Sequence, residues 1–100
     1  MTKILAIGDV MGKVGRRCLE TLLPTIRKQH QPDFVVVNGE NAAGGFGLTE
    51  KIYKSFVDQL QIDAVTMGNH WHDKREIYGL LPRAERLVLP CNMGNVDDDR

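Results

Sequence analysis

Three short apolar runs each end in glycine followed by residues that bind metals or move protons: Gly8-Asp9, Gly39-Glu40-Asn41 and Gly68-Asn69-His70. Two carboxylates, two Asn amides and an imidazole form a donor set of oxygen and nitrogen without sulfur. Such a set suits borderline or hard divalent ions such as Fe, Mn, Zn or Mg, and argues against a thiolate site. A carboxylate can bridge two cations, and an Asn carbonyl oxygen adds coordination without adding charge. Two ions about 3.5 to 4 Å apart clamp a phosphate and generate hydroxide from water. Asp9, Glu40, Asn41 and Asn69 are therefore the candidate metal ligands. His70, next to Asn69, is the candidate catalytic residue, placed to give a proton to a leaving oxygen. Each tripeptide alone also reads as a polar turn. An Asx-type turn, however, needs only Asn41 and leaves Glu40 unexplained, so the specificity lies in the set.

These residues need elements that bring them together. Lys3-Ile4-Leu5-Ala6-Ile7 and Phe34-Val35-Val36-Val37 read as strands buried on both faces. Ala64-Val65-Thr66-Met67 and Leu87-Val88-Leu89 read as a third and a fourth strand. Between the first two, Val14, Cys18, Leu19, Leu22, Leu23 and Ile26 recur with helical period up to His30, and Pro24 predicts a kink or a split. Thr49 is the expected N-cap of a helix with an Ile52, Phe56, Val57, Leu60 stripe. Asp73 with Glu76 has capping-box spacing and opens a short helix through Ile77, Leu80 and Leu81, which Pro82 closes. The order β-α-β-α-β-α-β predicts an α/β fold with a parallel sheet. In such a sheet the carboxyl ends of the strands form one ligand-binding edge, so the three exits meet in space.

The chain has 100 residues, 42% hydrophobic and 26% charged, which fits one globular domain and excludes wholesale disorder. Lys plus Arg and Asp plus Glu balance at 13 each, so there is no global field for nucleic acid or an anionic membrane. Apolar runs of four residues are far too short for a transmembrane helix or a secretory signal, so the chain reads as cytoplasmic. Cys18 falls on the apolar stripe and reads as a small buried hydrophobe rather than a disulfide partner. Lys13, Arg16 and Arg17 read as a wet helix start that at most steers an anionic substrate. Asp97 to Asp99 read as a solvated tail. Gly44-Gly45-Phe46-Gly47 reads as a flexible loop near the site, since no P-loop Lys-Ser/Thr follows it. Trp71 and His72 read as packing or rim residues.

Taken together, G-D-V-x-G, N-G-E-N-A-A-x-G-x-G-L-T-E-K-I-Y and T-M-G-N-H followed by D-K resemble the YmdB family of bacterial calcineurin-like metallophosphoesterases. The resemblance runs from Lys3 to about Asn92. Asp9-Val10-Met11 lacks the His usual in the wider superfamily, and Glu40 stands where the bridging Asp would be. Both departures mark this family. Trp71-His72-Asp73 replaces the common Thr-Trp-Asp. The resemblance implies the parallel β-α-β-α-β-α-β half of a metallophosphoesterase-like α/β sandwich with a binuclear metal centre. It implies hydrolysis of cyclic nucleotide phosphodiesters, 2',3'-cyclic and also 3',5'-cyclic. Asp9, Glu40 and Asn41 would serve the first metal, Glu40 and Asn69 the second, and His70 would donate the proton.

It also implies further histidine ligands from the second half of the fold. His30, at the far end of the first helix, cannot replace them. Residues 1–100 are thus expected to form a single domain that is the N-terminal part of a larger one, inactive by itself. The competing reading is a non-catalytic nucleotide- or phosphate-binding regulatory module using the same loops. A small-molecule phosphodiester is the expected partner in the first case, and an uncovered sheet face would show as a homo-oligomer.

Overall fold

A computed structural model describes residues 1–91. The strands are β1 (Ile4–Asp9), β2 (Phe34–Asn38), β3 (Ala64–Thr66) and β4 (Leu87–Val88). They form one sheet in the order β1-β2-β3-β4, every neighbouring pair parallel. The connections carry α1 (Gly12–His30), α2 (Glu50–Lys54) and α3 (Ile77–Leu80). A π-helical turn, Ser55–Gln59, prolongs α2, and a 3₁₀ turn, Leu81–Arg83, prolongs α3. The alternating order expected from the apolar runs is the one observed. The acidic stretch Asp97 to Asp99 lies outside the described residues.

The helices and one face of the sheet share a single core. Val35, Val37, Val65 and Leu87 point into it and meet Leu19, Leu23, Ile52, Phe56, Ile77 and Leu80. Strand side chains alternate between faces, and parallel register puts Ile4 beside Phe34 and Thr66 beside Val88. Those residues belong to the opposite face, where Ile4 is 66%, Phe34 40% and Val88 49% exposed. The strands are therefore covered on one face only. This corrects the expectation of strands buried on both faces: a β-branched run marks apolarity on both sides, but the described residues supply a helical layer for only one.

The same geometry corrects the reading of Cys18. Because β1 is the edge strand, nothing among the described residues covers the outer flank of α1, and Cys18 is exposed together with Val14 and Leu22. Cys18 and Leu22 border a groove of about 350 Å³ between β1 and α1, lined by Ile7, Leu19 and Ile26 among others. Cys18 and Cys91 are both free thiols.

Pro24 does not split α1, which runs unbroken through it. Pro24 and Glu20, whose carbonyl loses its amide partner, are both exposed, so water satisfies the orphaned group. Thr49 caps α2 as expected, its hydroxyl accepting from the Ile52 amide at 3.2 Å. The Asp73–Glu76 capping box does not form. Helix α3 begins later, at Ile77, without a side-chain cap. Glu76 instead accepts from the Glu50 amide at 2.8 Å, and Asp73 turns toward His70.

Candidate active site at the strand exits

Backbone hydrogen bonds continue past the strand ends and hold the three exits side by side. Val10 N–H donates to the Asn38 carbonyl at 3.3 Å, and Gly39 N–H to that of Thr66 at 2.9 Å. Met67 N–H donates to the Val88 carbonyl at 2.9 Å. The loops that follow are thus extensions of a rigid sheet, the usual support for functional side chains.

Asp9 closes β1 after a register shift between Ile7 and Asp9. Its two carboxylate oxygens accept from Asn41 Nδ2 at 3.1 and 3.0 Å. The Asn41 carbonyl in turn accepts from Gly12 N–H at 3.0 Å, tying the second exit to the start of α1. Asp9 and Asn41, 32 residues apart in sequence, share one place.

Glu40 is held by a residue that the sequence reading did not single out. Asn38 Oδ1 accepts from Glu40 N–H at 3.0 Å, while Asn38 Nδ2 donates to Glu40 Oε1 at 3.2 Å. The first bond is an Asx turn, and the Asn-x-Glu spacing was its signal in the sequence. Glu40 Oε2 points into the protein, buried and without a hydrogen-bond partner. A buried carboxylate oxygen in that state costs about 1–3 kcal/mol or more and calls for a bound ion or water. The carboxylate also lies where a Cβ on Gly68 would be, so the third exit must pass Glu40 as glycine.

His70 stands in the turn that follows. Its Nδ1 lies 2.8 Å from Asp73 Oδ2, and the other oxygen of Asp73 lies 3.7 Å from His72 Nδ1. Asp73 is the second residue that the sequence reading placed elsewhere, and the signal for it was His-x-x-Asp spacing. Trp71 is fully buried against Tyr78, which makes it a packing residue. Asn69 is exposed at the head of the turn. The loop read as flexible is a hydrogen-bonded turn: Gly45 N–H donates to the Asn41 carbonyl at 3.0 Å and Ala43 N–H to that of Gly47 at 3.0 Å.

The structure thus joins Asp9 to Asn41 and Glu40 to Gly68, and pairs His70 with Asp73. Among the described residues no three His, Cys, Asp or Glu side chains are arranged to hold a metal ion by themselves. The orphaned Glu40 oxygen and the oxygen-rich donor set nevertheless fit a divalent cation. Asp9, Glu40, Asn41 and Asn69 carry the donors of that set.

A parallel α/β sheet whose carboxyl edge carries carboxylate, amide and imidazole groups defines the class of this chain, and solved structures share its fold. A hypothetical protein from Thermus thermophilus superposes with a TM-score of 0.81 at 40% identity, over 94% of this chain and 36% of that one. A structure described as a novel phosphatase, from Mycoplasma pneumoniae, gives a TM-score of 0.81 at 36% identity, over 91% and 32%. Residues 5–97 match the family described as YmdB-like protein, and the chain belongs to that family. The 2',3'-cyclic-nucleotide 2'-phosphodiesterase of Bacillus subtilis (strain 168) is 48% identical over 90 residues. That match covers 90% of this chain and 34% of the Bacillus protein, so the chain spans about a third of that relative's length.

Proposed function

We propose that these residues form the N-terminal portion of a metal-dependent phosphodiesterase acting on 2',3'-cyclic nucleotides, and also on 3',5'-cyclic ones. The buried, partnerless Glu40 oxygen where the exits converge is the observation that carries the metal dependence. The name of the Bacillus relative supports the substrate class. Asp9, Glu40 and Asn41 would hold one divalent ion, Fe or Mn before Zn or Mg, and Glu40 with Asn69 a second. When bound, the ions would supply charge neutralisation at the phosphoryl oxygens and activation of water. His70 delivers a proton to the leaving oxygen. Asp73, accepting from Nδ1, fixes the ring so that Nε2 is the nitrogen free for that transfer.

The test uses the full-length protein, in which this layer is joined to the rest of the fold. Chelation is expected to abolish hydrolysis of 2',3'-cyclic AMP, and added manganese to restore it. Nucleotide binding without metal and without turnover would instead establish the regulatory module. The 100-residue polypeptide alone is expected to turn over little substrate, because it carries few of the anionic and imidazole ligands a binuclear centre needs.

The open sheet face supports the larger-domain reading as well. All-parallel sheets are stable with both faces covered, and here Ile4, Phe34 and Val88 face water. A second layer belongs there. In its absence the 100-residue polypeptide should associate through that face, and sedimentation that shows a clean monomer at high concentration would refute this. The two free thiols suit the reducing cytoplasm, and no helix among the described residues is long and apolar enough to cross a membrane.

A further inference from the structure

Phe46 is 59% exposed at the tip of the turn that follows Glu40 and Asn41. A lone aromatic on a surface is ordinary, but three features set this one apart. First, its turn is fastened to the backbone of the candidate ligands: Gly47 N–H donates to the Glu40 carbonyl and Gly45 N–H to the Asn41 carbonyl. Second, the turn is seated on the segment after His70. Gly47, at φ +70, comes so close to Lys74 N and Asp73 Cβ that a Cβ there would lie 3.2 and 3.3 Å from them. Third, the Phe46 ring stands edge-on to the His70 imidazole, their centroids 6.5 Å apart.

We infer that Phe46 is a specificity-determining residue that stacks against the nucleobase of the substrate. The inference rests on the phosphodiesterase reading and on the role of His70 as proton donor. The oxygen that receives the proton belongs to the ribose, so the ribose lies against His70. The base is attached to that same ribose and extends one ring further, which is the reach of Phe46 from the imidazole. A rigid, water-facing aromatic there offers an apolar face to any base. Stacking of this kind is tolerant of base identity because every base has a π-face, so a preference for nucleotides over other phosphodiesters follows without a preference among bases.

The experiment compares 2',3'-cyclic AMP with the base-less 1-O-methylribose 2',3'-cyclic phosphate, using the manganese-loaded full-length protein. Phe46→Ala is expected to raise KM for cyclic AMP by about 10-fold and to leave KM for the base-less compound and kcat for both unchanged. Phe46→Tyr should restore wild-type behaviour. An equal change for both substrates would reveal a packing role, and no change for either would remove Phe46 from recognition. Both results overturn the inference. If the wild type hydrolyses neither compound, the phosphodiesterase reading fails, and calorimetry with adenosine 3'-monophosphate and ribose 3-phosphate then decides about Phe46. Base-dependent affinity lost in Phe46→Ala supports stacking, and its absence overturns it.

Discussion

Glu40→Gln is expected to lower kcat/KM of the full-length protein for a cyclic nucleotide at least about 100-fold, a loss as large as the upper range for disturbed metal surroundings. The isolated fold should not suffer with it. Glutamine keeps an Oε1 acceptor for Asn38 Nδ2, now 3.2 Å away, and removes the charge from an oxygen that is buried without a partner. The amide nitrogen that takes the place of that oxygen is itself without a partner, so the loss of a buried charge is offset by unpaired N–H groups, and the metal-free thermal midpoint should stay about level. The readout that separates ligand from scaffold is stabilisation by metal. A ligand at 100 times its Kd stabilises the native state by about 2.7 kcal/mol, and that gain should appear in the wild type and vanish in Glu40→Gln. An undiminished metal-induced shift in the variant would sink the assignment.

Gly68→Ala attacks the same carboxylate from the other side. The added methyl would occupy the position of the Glu40 carboxylate, and nothing else stands closer. The end of a side chain moves more readily than backbone, so Glu40 swings away and its bond to Asn38 breaks. Stability falls by about 1 kcal/mol, the worth of one hydrogen bond. Activity falls by about 100-fold, because a displacement of about 1 Å in a catalytic group costs that much. In a Glu40→Gln background the same substitution should add little, since both changes act through one group. Independent, multiplicative losses measured by kinetics would show that Gly68 acts elsewhere.

Much of the fold was legible in the sequence. The glycine-terminated apolar runs marked the first three strands and a short apolar run before Pro90 the fourth, and the alternation of strands with helical stripes carried the parallel topology and hence the meeting of the exits. The Thr49 cap was legible too, because it depends on residues within one turn. The local readings that failed did so where a distant group competed. Asp73 has the spacing of a cap, yet His70 offers it a partner at 2.8 Å. Glu76 is drawn off by the Glu50 amide, 26 residues away. Asn38 was passed over because its role depends on the pose of Glu40.

By itself the amino-acid sequence determined the residue types available to the site, their placement after strands, and the resemblance to one family through Gly39 to Tyr53. Those properties are local or additive along the chain, so periodicity and motif spacing record them. Tertiary structure alone decided which donors touch, which oxygen is buried without a partner, and which face of the sheet stays open. Ile4, Phe34, Val88 and Cys18 show why: their apolarity states that they prefer to be buried, but burial is a relation with another layer. Among the described residues that layer is present on one side of the sheet and absent on the other.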